Sequence, residues 1–121
     1  MFRPVSGASA PGDTPARRLR QLRALAAEFS ATKMDRKALS RPLRLLTQPV
    51  YHYESTEPGG ALFAFVEGTD PEVFLFIEAR VGDKALAWHY ALARMNSVEF
   101  HVALRGREVW SAPVKIGRAH V

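Results

Sequence analysis

Glu99 and His101 are the pair of side chains best suited to acid–base chemistry in this chain. Side chains two positions apart on a strand point to the same face, and an imidazole beside a carboxylate is an arrangement that suits a general base. Glu78 lies on a separate predicted strand and completes the cluster if the two strands are neighbours. Glu78, Glu99 and His101 are therefore the candidate catalytic residues, although the water-facing side of any half-exposed strand shows the same alternation of polar residues.

The other motifs of enzyme chemistry are missing from the sequence. The chain has no cysteine, which excludes a thiolate nucleophile, a disulfide scaffold and a zinc ribbon. It also has no Gly-x-Ser-x-Gly elbow and no glycine-rich phosphate loop. His89 stands between Trp88 and Tyr90 and is predicted to be a half-buried imidazole rather than a ligand. The sequence predicts no cofactor and no metal site.

Positive charge is concentrated in the first part of the chain. Residues 1–45 contain ten Lys or Arg and three Asp or Glu, whereas residues 46–121 contain seven and nine. A basic region of this kind can contact phosphate or an anionic surface. However, the sequence has neither the paired aromatic motif of an RNA-recognition domain nor an evident helix-turn-helix. A solvated basic face is the preferred interpretation, and nucleic-acid binding is the weaker alternative.

A helix is predicted over about Pro15 to Ser30. Thr14 is a suitable N-cap, and Pro15 suits the first helical position because its missing N–H has no intrahelical partner there. The apolar residues that follow recur every three or four positions and form one stripe: Leu19, Leu22, Leu25, Ala26 and Phe29. Such an amphipathic helix should dock its apolar stripe on another element.

From residue 43 onward the apolar pattern becomes that of strands. Runs of β-branched and aromatic residues separated by turn residues predict strands at 50–54, 61–67, 73–78, 85–95, 98–104 and 108–110. Within 85–95 a bulky row alternates with an alanine-rich row, which favours a strand with the helix close against the small side; a helix is the competing interpretation. Short connections favour antiparallel neighbours. The predicted fold is therefore α+β, with one N-terminal amphipathic helix packed on a curved antiparallel meander of five to six strands.

The central predicted strands are apolar on both faces. Phe63 and Phe65 alternate with Leu62 and Val66, and the run 73–78 repeats the pattern. A sheet with one face in water does not need this arrangement. Either the sheet curls around its own core on the face that the helix leaves, or one face docks a ligand or another part of a longer protein.

Length and composition describe one small domain with atypical ends. The chain has 121 residues, 47% of them hydrophobic, a formal net charge of +5 and no apolar stretch long enough for a membrane helix. Its first residues are not predicted to form a signal peptide. Residues 1–13 are rich in Pro, Gly and Ser and are interpreted as a linker or disordered arm, followed by a single domain over 14–115. Residues 116–121 resemble the translation of a sequencing adapter and are interpreted as an artefactual tail.

Five segments, at residues 14–31, 43–54, 60–73, 90–95 and 106–110, resemble the C-terminal half of an uncharacterised protein family of planctomycete bacteria. The resemblance implies a longer, exported protein, with its own N-terminal half as a partner, and it implies no reaction and no catalytic residues. We therefore expect a non-catalytic binding or interaction module of a larger exported protein. The alternative is a small hydrolase- or isomerase-like enzyme that uses the concave face of the sheet, and nucleic-acid binding by the basic helix is weaker still.

Overall fold

The chain is mostly β-structure in the computed structural model, which describes residues 1–37, 39–53, 59–83 and 85–115. Strands account for 53% of the residues and helix for 11%. In these ranges the elements are, in chain order, β1 (Arg3–Pro4), α1 (Pro15–Ala26), β2 (Phe29–Met34), β3 (Ser40–Pro42), β4 (Arg44–Leu45), β5 (Tyr51–Tyr53), β6 (Gly60–Glu67), β7 (Asp70–Val81), β8 (Leu86–Arg94), β9 (Glu99–Leu104) and β10 (Arg107–Ala112).

The helix begins where the sequence predicts and ends earlier. Thr14 is the N-cap, and its hydroxyl accepts a hydrogen bond from the backbone N–H of Arg17 at 3.2 Å, with Pro15 at the first helical position. Leu22, Leu25 and Ala26 are buried. Phe29 is buried too, but as the first residue of β2 rather than as part of the helical stripe. The apolar stripe therefore continues across the helix end into a strand.

The strands form two antiparallel sheets. In the six-stranded sheet the order is β1-β8-β7-β6, with β4 and β5 each pairing with the other side of β6. In the four-stranded sheet the order is β10-β9-β2-β3. Strand β9 lies outside the six-stranded sheet and pairs with β2, so that Ala31 lies opposite Val102. Two strands that are far apart in sequence thereby define the second sheet.

The predicted fold, in which one helix packs on a single curved antiparallel meander, is wrong. Most of the expected strands exist, but β9 and β10 belong to a second sheet together with β2 and β3, which lie in the segment where no strand is predicted. The sequence does not predict strands in that segment, because β3 and the following β4 are short and contain Arg and Pro instead of a regular apolar alternation. Physically, a helix of 12 residues is too short to cover one face of a six-stranded sheet, and the second sheet supplies the missing cover.

The core lies between the two sheets and the helix. It joins Phe63, Leu75 and Trp88 of the six-stranded sheet to Leu22 of the helix and Phe100 of the four-stranded sheet. In β8 the bulky row faces this core, since Trp88 and Tyr90 are buried and the Tyr90 ring lies 5.1 Å from that of Phe29. The alanine row lies on the opposite face, away from the helix, which reverses the sequence-based expectation.

Part of the segment predicted as a linker or arm pairs with the six-stranded sheet. Arg3 and Pro4 form β1 beside β8, and the N–H of the buried Val5 donates to the carbonyl of Trp88 at 2.9 Å. Further along, the side chain of Gln21 on the helix accepts from the N–H of Gly12 at 2.7 Å. Residues 116–121, the predicted artefactual tail, lie outside the described ranges.

A charged cluster ties one end of the two sheets together. Lys33 on β2 donates to Glu67 of β6 and to Glu72 of β7, at 2.9 Å in each case. Glu72 is buried and also accepts from the side chain of Asn96 at 3.1 Å. The hydrogen bond with Glu67 is the main cause of a raised pKa at Lys33, and Lys33 in turn lowers the pKa of Glu67. Lys33 is thus held in its charged form between two strands of the other sheet.

Candidate functional site

His101 contacts two carboxylates on the water-facing side of the four-stranded sheet. Its Nε2 lies 2.5 Å from Oε2 of Glu99, two positions earlier on β9, as the sequence predicts for a shared face. Its Nδ1 lies 2.6 Å from Oε1 of Glu108 on β10. The imidazole is partly exposed, and the three side chains form a compact acid–histidine–acid cluster at the surface.

Both carboxylates favour the protonated form of the imidazole. A neutral imidazole has one N–H donor and one acceptor nitrogen, so only the imidazolium can donate to carboxylates on both sides. The pKa of His101 is accordingly raised, mainly by the hydrogen bond with Glu99 and next by that with Glu108. A shallow depression of about 320 Å³ lies beside His101 and is also lined by Ser111 and Pro113. The cluster therefore places a positively charged imidazolium beside a surface depression. Both ring nitrogens of His101 contact carboxylates, so neither is free to act as a base.

Glu78 lies apart from this cluster. It sits on β7 of the six-stranded sheet, where it accepts hydrogen bonds from the hydroxyl of Tyr53 and, at 2.7 Å, from the guanidinium of Arg80. Burial, and next the contact with Glu78, raise the pKa of Tyr53. Of the three candidate catalytic residues, the structure brings together Glu99 and His101 and leaves Glu78 on the other sheet.

Glu108 is the member of the cluster that sequence analysis did not single out. It follows the turn at Arg105 and Gly106, which pairs β9 with β10. Glu108 lies opposite Ala103, which shares a strand face with His101, so its carboxylate reaches His101 diagonally. The register irregularity follows between Glu108 and Trp110. The short turn at Arg105 and Gly106 predicts the hairpin, and pairing counted outward from that turn places Glu108 opposite Ala103, so this contact had a signal in the sequence.

A glycine makes room for the contact between Tyr53 and Glu78. Gly60 lies between them in the sheet, opposite Tyr53 on one side and opposite Glu78 on the other. A Cβ at this position would approach Cβ of Glu78 and the carbonyl oxygen of Ile77 to 2.5 Å each. A residue with a side chain would displace both neighbours, so glycine is required where the tyrosine reaches across β6.

The six-stranded sheet has a second apolar surface on the side opposite the core, which we call the outer apolar face. Its members alternate with core residues along β6, β7 and β8 and are continued by an exposed tyrosine of β5; they are Tyr51, Leu62, Ala64, Phe74, Phe76, Ala91 and Ala93. In the described residues, the helix and the four-stranded sheet both pack on the other side, in the core cluster. Leu62, Phe74 and Phe76 therefore remain partly exposed.

The face is built of two rungs that run across the strands, and a third, polar rung borders it. The middle rung places Tyr51, Leu62, Phe76 and Ala91 side by side, and the next contains Ala64, Phe74 and Ala93. The third rung is polar and contains the pair of Tyr53 and Glu78 together with His89. The outer apolar face thus ends in a polar row along one side.

His52 and His89, the other histidines of the described residues, do not form a ligand set. His89 is half-buried, as the sequence predicts, with Nδ1 at 3.1 Å from the carbonyl of Ala87. Nε2 of His52 is buried and has no hydrogen-bond partner among the described residues. Within the same ranges no three His, Asp or Glu side chains are placed to hold a metal ion.

Comparison with known proteins identifies no family for this chain. No family model, curated protein or solved structure that we searched matches the chain. In the part of the chain that the structure describes, no helix has both the length and the apolar character needed to cross a membrane. The candidate sites therefore rest on their own geometry.

Proposed function

We propose that this chain is a non-catalytic interaction module that docks an apolar protein surface on its outer apolar face. The observation that supports the proposal is a sheet with apolar side chains on both sides, of which the described residues cover only one. Fully burying an apolar side chain of this size is worth about 1.5–3 kcal/mol, so leaving Leu62, Phe74 and Phe76 partly in water forgoes part of that gain. A partner that covers them recovers it.

The alternative of a hydrolase- or isomerase-like enzyme has less support. Glu99 and His101 are in contact, but both ring nitrogens of His101 are occupied by carboxylates. Glu78 lies on the other sheet and is engaged by Tyr53 and Arg80. An imidazolium held by two carboxylates is a stabilising ion cluster of a sheet surface, and it leaves no base positioned for proton abstraction.

Nucleic-acid binding through the basic region also has less support. Lys33 and Arg41 are ion-paired with Glu67, and Arg17 with Asp13 at 3.4 Å. These contacts neutralise part of the positive charge that the sequence concentrates in residues 1–45. The family resemblance implies a larger exported protein, and this stays a prediction. The remaining part of that protein is an alternative occupant of the outer apolar face.

The proposal is tested by comparing the two faces of the same strands. Phe74→Thr and Phe76→Thr remove aromatic rings from the outer apolar face and keep a residue suited to strands, so the free energy of unfolding should stay within about 1 kcal/mol of the wild type. Binding of the apolar dye anilinonaphthalene sulfonate should fall in both variants. Urea unfolding and dye fluorescence measure the two effects.

Phe63→Ala is the matched control, because Phe63 lies on the core side of β6 and is fully buried. It should cost about 3–5 kcal/mol. If Phe74→Thr and Phe76→Thr destabilise the fold as much as this control does, the outer apolar face is part of the structural core and the proposed function is refuted.

A further inference from the structure

We infer that Asn96 is a self-modification site, at which the backbone nitrogen of Ser97 attacks the side-chain amide and converts the asparagine to aspartate or isoaspartate. Asn96 is the single asparagine of the chain. It lies in the bend between β8 and β9, apart from the residues of the outer apolar face, so the site does not depend on the docking function proposed above.

The backbone nitrogen of Ser97 lies beside the carbon that it attacks. Its N–H donates to Oδ1 of Asn96 at 2.6 Å. Since a C=O bond is about 1.23 Å long, the same nitrogen lies no more than about 3.8 Å from Cγ of Asn96. Reacting atoms held about 3–3.5 Å apart are near an attack geometry. The fold therefore lowers the entropic part of the barrier to this reaction.

The bend is fixed by hydrogen bonds and is open to water. The N–H of Met95 donates to the carbonyl of Glu72 at 2.8 Å, and the N–H of Lys115 donates to the carbonyl of Ser97 at 2.7 Å. The side-chain amide is oriented too, because Nδ2 of Asn96 donates to Oε1 of Glu72 at 3.1 Å. Asn96 and Ser97 are nevertheless exposed, beside a surface depression of about 280 Å³. Water can therefore reach a ring that forms there.

The conversion needs water as its only other reactant. A water molecule or hydroxide takes the proton from the backbone nitrogen of Ser97, and this nitrogen forms a bond to Cγ of Asn96. The bond from Cγ to Nδ2 breaks, and the amide nitrogen takes up a proton and leaves as ammonia. One water molecule then opens the cyclic succinimide at either carbonyl, which gives aspartate or isoaspartate. Nothing is oxidised or reduced.

Either product places a second carboxylate against a buried one. Glu72 is 6% exposed, and Lys33 compensates its charge at 2.9 Å. Asn96 donates a hydrogen bond to Glu72, whereas an ionised carboxylate has no donor and repels it. Lys33 also compensates Glu67, so it faces three carboxylates after the conversion. Modification of Asn96 therefore weakens the charged cluster that ties one end of the two sheets together.

Peptide mapping of the full chain, stored folded at mildly alkaline pH, tests the modification. Trypsin releases residues 95–105, which contain Asn96. A growing fraction of this peptide should gain the mass that separates OH from NH₂, and part of it should be isoaspartate. Gln48 is the internal control, because Pro49 after it has no N–H to attack the side chain, and it should stay unchanged.

Two variants of the attacking residue are the matched controls. Ser97→Pro removes the N–H and should abolish the conversion. Ser97→Val keeps the N–H but crowds it, should slow the conversion several-fold, and serves if Ser97→Pro fails to fold by circular dichroism. Conversion of the folded Ser97→Pro variant at the wild-type rate, or of Ser97→Val at that rate, overturns the inference.

A synthetic peptide of residues 95–105 separates the contribution of the fold from that of the local sequence. The folded chain should convert Asn96 about threefold or more faster than this peptide, because the fold holds the reacting atoms together. If the peptide converts and the folded chain does not, the bend protects Asn96 and the inference is overturned.

The effect on the charged cluster is measured with variants of the modified residue. Asn96→Asp reproduces one product and should lower the midpoint of thermal unfolding by about 3–6 °C. Asn96→Ala removes the same hydrogen bond without adding a charge and should cause a smaller loss. An Asn96→Asp variant as stable as Asn96→Ala would show that the added charge does not weaken the cluster. None of these outcomes changes the test of the outer apolar face, which uses other residues.

Discussion

At the residue scale, the acid–histidine–acid cluster joins the two sequence-predicted residues Glu99 and His101 to a second carboxylate, that of Glu108. The spacing of Glu99 and His101 places both on one face of β9, as expected from strand geometry. The addition of Glu108 changes the chemistry, because two carboxylates stabilise the imidazolium more than one does. His101 therefore contributes to the stability of the sheet surface through its charge.

The raised pKa of His101 predicts a pH-dependent contribution to stability. The histidine binds its proton more tightly in the folded chain, so the contribution is fully present below its unfolded pKa of about 6.5 and is lost as pH rises through the higher folded pKa. The unfolding free energies of the wild type and His101→Gln should differ by up to about 1 kcal/mol near pH 6, since the pairs are partly exposed, and should converge above the folded pKa.

Urea unfolding at several pH values between about 5.5 and 9 and NMR titration of the imidazole check this prediction. Glu108→Gln should lower the pKa of His101 toward its ordinary value, whereas Glu78→Gln, on the other sheet, should leave it unchanged. Titration of His101 at or below pH 6.5 in the wild type contradicts the prediction.

At the element scale, the two sheets are joined by packing and by one charged cluster. The carboxylate of Glu72 is buried, and its charge is compensated by Lys33 from the other sheet, with a further hydrogen bond from Asn96. A buried ion pair of this kind adds little net stability compared with well-packed apolar residues, but removing one partner leaves an uncompensated charge. The cluster consequently fixes which ends of the two sheets lie together.

Lys33→Met should destabilise the chain by about 3 kcal/mol, because the carboxylate of Glu72 is then buried without its cation. The double variant Lys33→Met/Glu72→Met should return to within about 1 kcal/mol of the wild type, because neither charge remains. Urea unfolding of the single and double variants measures the coupling. An equal loss of stability in both variants would show that lost packing, and not the unpaired charge of Glu72, causes the destabilisation.

At the scale of the whole molecule, one core is shared by both sheets and the helix. Residues from β2, β6, β7, β8 and β9 belong to the same buried cluster, together with Leu22 and Leu25 of the helix. Neither sheet has a separate core in the described residues. The two sheets should therefore unfold together, in a single cooperative transition.

Native-state hydrogen exchange tests this cooperativity. The amides of β7 and of β9, each paired on both sides, should exchange with opening free energies that agree within about 1 kcal/mol, because both require global unfolding. The short strands β1 and β5 at the sheet margins should exchange faster and serve as the internal comparison. Opening of β9 at a free energy several kcal/mol below that of β7 would show that the second sheet unfolds alone.

The sequence by itself determined the local structure. Thr14 and Pro15 set the start of the helix, the alternation in β6 through β9 set which side chains share a face, and the spacing of Glu99 and His101 set their contact. These features depend on residues close together in the chain, whose geometry follows from the helical and strand periods.

The tertiary structure decided everything that joins distant segments. The pairing of β2 with β9 split the strands into two sheets and covered one apolar side of the six-stranded sheet, while the other side has no such cover among the described residues. The pairing of β10 with β9 brought Glu108 to His101, whereas Glu78 lies on the other sheet. Long-range strand pairing leaves little trace in local patterns, because the same alternation is compatible with several partners and the choice is made by the burial of the whole core.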